Sequence, residues 1–224
     1  MPTPMLHVAI AKKVNEKLLL ESDLLYIGCL MTNWTNVEYH VSHFKSEDEG
    51  IEGLSKPDMF VEKYKHKLDN PIVLGYLIHL LTDRFWNKYM VNNVYLYDNE
   101  NQVVGVKTKS KKELNIPPES IHVLKAKTYT QYDNYLMSNN MVDIIKEKVL
   151  DLPGVEEIKI TREELDKKID EYNKEVKDFK KNRSFLGLSN NRYSLINQKE
   201  FEQTLERCAS YVYSYLRRND IIEP

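Results

Sequence analysis

From Ile72 to Tyr89 the chain is apolar on almost every side of a helix, with only His79, Thr82, Asp83, Arg84, Asn87 and Lys88 strongly polar. A helix apolar all round belongs at the centre of a fold. Asn70-Pro71 predicts its start, a capping side chain followed by a residue that needs no N–H partner. Upstream, His7, Ile10, Val14 and Leu18 recur at helical spacing among Lys12, Lys13 and Lys17, so a helix is expected from Thr3-Pro4 to about Leu20. Ser22-Asp23 suits the cap of a second apolar segment, Leu24 to Met31, which leaves through Thr32-Asn33-Trp34. Glu38 to Phe44 reads as a short helix and the charged residues 45–57 as a loop. Pro57-Asp58 then opens an amphipathic helix with Phe60, Val61, Tyr64 and Leu68 inward.

The period changes over residues 92–124. Val94 and Leu96 alternate with polar neighbours, Asp98 to Asn101 signals a turn, and Val104 and Val106 alternate again, which predicts a small β-hairpin. Lys107, Lys109, Lys111 and Lys112 and then Pro117-Pro118 give this stretch the look of a surface insertion. Helix is expected again from Thr128 to Leu150, ended by Leu152-Pro-Gly154. Thr161 and Glu164 form a capping box for a long helix with Leu165, Ile169, Tyr172, Val176 and Phe179 inward. A last helix runs from Gln198 to Arg218 with Phe201, Leu205, Cys208, Val212 and Tyr215 at core spacing. The expected fold is all-α, a multi-helix bundle in one domain over 1–224 with a hairpin-bearing insertion.

Composition narrows the function classes. A formal charge of −2 gives no reason to expect nucleic acid as a partner. Seven glycines in 224 residues argue against a turn-rich all-β architecture. No apolar run approaches the ~20 residues of a membrane span, and the N-terminal segment lacks the apolar stretch of a signal peptide. Cys29 and Cys208 lie far apart without metal-ligand spacing. A reduced compartment, the cytoplasm, is the expectation.

The candidate chemistry rests on imidazole and carboxylate. His79 and Asp83 are one turn apart on the same face of the buried helix. Burying an ionisable group is costly unless it is paired or bound to metal. His7 lies on the inward stripe of the first helix, and His43 follows a short polar stretch. Histidines and an aspartate without thiolate suit zinc or another borderline divalent ion. Spacing alone leaves the alternatives open: His79 and Asp83 as a buried structural pair, His7 as a core histidine, His40 and His43 as an unrelated pair on a connector. His66, between lysines, and His122, beside the prolines, read as surface residues.

Taken together, His7 with Ala9 and Ala11, the Gly28 segment leading to residues 31–34, Ser42-His43-Phe44, and Asn70-Pro71 through Gly75-x3-His79-x3-Asp83 resemble bacterial zinc-dependent phospholipase C-like proteins. Tyr129-Thr-Gln-Tyr132-Asp133 is similar to a later segment of the same proteins. The similarity covers about the first 90 residues well and 128–150 loosely. It implies the all-helical fold of phospholipase C and P1-type nucleases, with one or two zinc ions between the helices. His7, His43, His79 and Asp83 would be the ligands, Asp83 able to bridge two ions, and Asn33 a weak ligand. The family's Pro-Asp reads Thr32-Asn33 here, which removes one carboxylate and the obvious base.

The resemblance therefore implies a metal-dependent phosphoester hydrolase using zinc-activated water, with Asp83 as the catalytic carboxylate and a small-molecule or lipid phosphoester as substrate. The rival is a non-catalytic helical relative that keeps the scaffold and serves as a metal-binding or interaction protein. Trp34, Phe85 and Trp86 could wall a cleft, and Tyr211 and Tyr215, four apart, could form an exposed aromatic stripe. Core packing is the preferred role for the first three and accounts for the two tyrosines equally well.

Overall fold

The computed structural model describes residues 2–45, 54–100, 102–182 and 195–222; the expected loop over 45–57 lies mostly outside them. Helix α1 (Pro4–Leu18) starts where the Thr3 hydroxyl accepts from the Leu6 N–H, and it stops at Leu19, whose φ of 56° is left-handed. Helix α2 (Leu24–Trp34) runs on through Thr32, Asn33 and Trp34, which the sequence placed beyond its end. Asp23 does not cap it through its side chain. Instead Asp23 Oδ2 accepts from the Lys146 and Glu147 N–H groups, while Glu147 Oε2 accepts from Ser22 Oγ and the Asp23 N–H.

A single turn, α3 (Tyr39–Ser42), precedes α4 (Pro57–Tyr64), which tightens into a 3-10 turn over Lys65–Lys67. Helix α5 (Pro71–Asn93) begins with the Asn70 side chain accepting from Ile72 N–H, as the sequence predicts. It is the hub of the fold, with α1, α2 and α4 packed on it, and it is buried without interruption from Ile72 to Asp83.

The hairpin carries a further strand. β1 (Tyr95–Tyr97), β2 (Val103–Lys107) and β3 (Glu113–Asn115) form an antiparallel sheet in that order, with Tyr95 opposite Val106 and Val106 opposite Leu114. Val106 is fully buried, so the sheet packs one face inward.

The third quarter of the chain departs most from expectation. Helix α6 is Pro118–Ser138: it begins inside the stretch read as an insertion and ends long before Leu150. Asn140 has φ 54°, a left-handed conformation that stops a helix. Val142, Ile145 and Val149 are buried from an irregular segment whose spacing imitates a helix. Asn173 holds that segment, accepting from the Ile145 N–H and donating to the Ile145 carbonyl.

Helix α7 (Arg162–Asn182) has its capping box, with Glu164 N–H donating to Thr161 Oγ1 and Thr161 N–H to Glu164 Oε2. Helix α8 (Gln198–Arg218) packs on α1 and α5 through Phe201, Leu205, Cys208 and Val212. Tyr215 is buried and donates to Asp58, so Tyr211 and Tyr215 do not form an exposed stripe. Trp86 sits in the core against Phe201 rather than in a cleft wall. Among the described residues no helix is long and apolar enough to cross a membrane.

Candidate metal centre

Two glycines set the depth of the site. A Cβ on Gly75 would lie 2.1 Å from the Leu25 carbonyl oxygen, and one on Gly28 would lie 2.1 Å from that of Ile72. Helices α2 and α5 therefore cross backbone against backbone. That approach brings the Cys29 carbonyl within 2.7 Å of His79 Nδ1. A carbonyl can only accept, so Nδ1 carries the proton and the His79 Nε2 lone pair points away from α2.

His43 is oriented in the same way. Its Nδ1 lies 3.0 Å from the Tyr39 carbonyl and 2.9 Å from Ser42 Oγ, so the proton sits on Nδ1 when the Ser42 hydroxyl donates to that same carbonyl. The turn that carries it is tied down by Tyr76 of α5, whose hydroxyl donates to the Ser42 carbonyl. The consequence is electrostatic. The two Nε2 atoms face each other at 3.2 Å, and with both protons on Nδ1 each offers a lone pair. Burial pushes the His43 pKa down to about 4, and burial together with His7 takes His79 well below its ordinary value. Neither ring is an imidazolium at neutral pH.

Asp83 completes the arrangement one turn beyond His79. Its Oδ1 is 3.4 Å from His7 Nε2, and its Oδ2 is 3.6 Å from His43 Nε2 and 3.7 Å from His79 Nε2. The His7 ring stacks on His79, with centroids 3.7 Å apart. Burial alone would raise the Asp83 pKa, but the facing imidazoles, His7 first, outweigh it and keep the carboxyl ionised. All four side chains are at most 1% exposed, and both His7 nitrogens and both Asp83 oxygens are buried without a hydrogen-bond partner.

Three imidazoles and one ionised carboxylate, the His43 and His79 Nε2 atoms turned inward, form a nitrogen and oxygen donor set. Contacts of 3.2–3.7 Å link these atoms, His7 to Asp83 Oδ1, His43 and His79 to Oδ2, and the two Nε2 atoms to each other. His7, His79 and Asp83 each offer an atom within 4.8 Å of the others, a group that could hold a metal ion, and His43 joins from the Asp83 Oδ2 side. Oδ1 turned to His7 and Oδ2 to the other two rings suits either one ion or a carboxylate shared by two.

Asn33 is not part of this group: it is exposed on the outer side of α2. The buried residue of that turn is Thr32, whose Oγ1 has no hydrogen-bond partner. Leu25, Gly28, Cys29 and Thr32 follow the helical repeat on the face that meets α5, and that repeat was the signal for Thr32. His40 stands apart from the group, 3.5 Å from Glu38, while His66 and His122 are exposed. Sequence reasoning also missed the Cys29 and Tyr39 carbonyls, since any residue supplies one. Comparison with family models, curated proteins and solved structures finds no match for this chain.

Proposed function

We propose that the protein is a metal-dependent phosphoester hydrolase, with His7, His43, His79 and Asp83 holding zinc or a similar borderline divalent ion. The observation that carries the metal is the pair of Nε2 lone pairs at 3.2 Å beside two unpartnered carboxylate oxygens. With both ring protons on Nδ1 the two lone pairs oppose each other, and a cation between them would turn that pose favourable. A bound ion would supply Lewis acidity toward a phosphoryl oxygen and lower the pKa of water. Cys29 and Tyr39 would hold the rings in the ligating tautomer. With a single carboxylate in the group, Asp83 is the only acidic residue there to position a water proton. The phosphoester substrate rests on the family resemblance together with this donor set.

The burial of the cluster favours a second reading, a structural ion in a non-catalytic helical relative. No ligand is more than 1% exposed, whereas a catalytic metal needs an open position. The half-exposed Tyr39 ring, 3.9 Å from the His43 ring, is the cover that would have to move.

Elemental analysis of protein purified without chelator tests the metal. Near-stoichiometric divalent ion is expected, lost in His79→Ala with the helical spectrum retained; metal-free wild type would end the hydrolase reading. Turnover of a panel of phosphomonoesters and phosphodiesters then separates the two readings. Metal without turnover leaves the structural ion.

A further inference from the structure

A second cleft, of about 290 Å³, lies between the C-terminal half of α5 and α8 and shares no residue with the metal cluster. Arg84, Lys88 and Arg207 line it, with Phe85, Tyr211 and Asn92, and no carboxylate is among its lining residues. In a chain with a formal charge of −2, three cations gathered without a counter-charge call for an explanation.

The acidic residues of α8 and Asp58 hold other hydrogen-bond or ion-pair partners. Glu200 accepts from Tyr89 and Lys111, Glu202 from Tyr135 and Gln198, Glu206 from Lys13, and Asp58 from Tyr215. Among the described residues, Lys88 and Arg207 have no ion-pair or hydrogen-bond partner. Arg84 donates through Nη1 to the Ser55 carbonyl at 3.0 Å, which anchors the guanidinium and leaves its other N–H groups available. A pinned arginine fork beside two further cations suits the doubly charged oxygens of a phosphate. The Phe85 and Tyr211 rings pack at 5.6 Å and are both half-buried, giving the cleft an aromatic wall.

We infer that this cleft binds a small organic phosphate, its phosphate held by Arg84, Lys88 and Arg207 and a flat apolar group laid against Phe85 and Tyr211. The volume, near the lower end for ligand pockets, sets a mononucleotide as about the largest occupant. The inference does not depend on the hydrolase reading, because no metal ligand contributes to the cleft.

Calorimetric titration with adenosine 5′-monophosphate and with inorganic phosphate, at low salt, tests it. Saturable binding is expected for both, tighter for the nucleotide by about tenfold, with Arg207→Ala and Lys88→Ala each weakening both by about tenfold. Both side chains are exposed, so the variants should fold as the parent does. Tyr211→Leu should remove the nucleotide's advantage and leave phosphate binding in place. Affinities unchanged after chelation would separate this site from the metal centre. The inference is overturned by absent or non-saturable binding, by binding indifferent to Arg207 and Lys88, by equal affinity for the two probes, or by loss of binding on chelation.

Discussion

Asp83 is an ionised carboxylate with no exposure, and its nearest imidazole nitrogen is His7 Nε2 at 3.4 Å. Such a group is a heavy liability unless a cation answers it. In Asp83→Asn, metal content should fall to background. A wild type saturated about a thousandfold above the dissociation constant gains about 4 kcal/mol, a rise in melting temperature of roughly 10 °C over chelated protein. Thermal melts with and without chelator should show that difference in the parent and none in Asp83→Asn. An unchanged metal response in the variant would remove the carboxylate from the site. His79 and Asp83 were legible as residues because a polar pair on an apolar helix stands out. Thr32 was legible only through the repeat of Leu25, Gly28 and Cys29, because the identities of Thr32 and Asn33 do not say which of the two turns inward. One residue along a helix is about 100° of rotation, and the structure turns Thr32 to the core and Asn33 to solvent.

At the scale of elements, the crossing of α2 and α5 is what aims His79. In Gly75→Ala the new methyl meets the Leu25 carbonyl, the Cys29 N–H and the Gly28 Cα, all backbone atoms. The helices must separate, at a cost of about 2–3 kcal/mol or more. The Cys29 carbonyl then retreats from His79 Nδ1, so metal affinity should fall about 10–100-fold although no ligand has changed. Denaturant unfolding and metal titration read the two effects, and loss of stability with intact affinity would show that the carbonyl does not orient the ring.

The junction of α1 and α6 responds to pH. Thr3, which caps α1, donates to Asp133 of α6, and burial raises the Asp133 pKa to about 7. Its folded pKa lies above the unfolded value, so its contribution is complete below about pH 4 and is lost as pH rises through 7. Relative to Asp133→Asn, the wild type should lose about 2 kcal/mol between pH 4 and pH 8, an amount reduced for partial exposure. His43 and His79 have depressed values and work in the opposite sense below pH 6.5, but they are common to both proteins and cancel in the difference. A flat difference across that range would mean that Asp133 titrates normally. Helix starts were readable wherever a cap preceded a proline, as at Thr3 and Asn70. The irregular run after Asn140 was not, because Val142, Ile145 and Val149 are held by a distant asparagine that no local pattern announces.

Across the whole molecule, the order of helices followed from periodicity, whereas the third strand and the early start of α6 did not. Glu113 to Asn115 has too few residues to show alternation, and Pro118 serves as a helix start although the pair of prolines reads as part of a surface insertion. The convergence of α1, α3 and α5 on one point lay beyond any local signal, since residues 7, 43 and 83 meet only through packing. That convergence has a spectroscopic consequence. The His79 Nδ1 proton is trapped between its ring and the Cys29 carbonyl, behind a fully buried helix crossing, where solvent exchange is slow. It should survive in water as a sharp, far-downfield imidazole resonance, one that moves when an ion is added or withdrawn. The protein thus carries its own reporter of site occupancy, usable without label, ligand or assay.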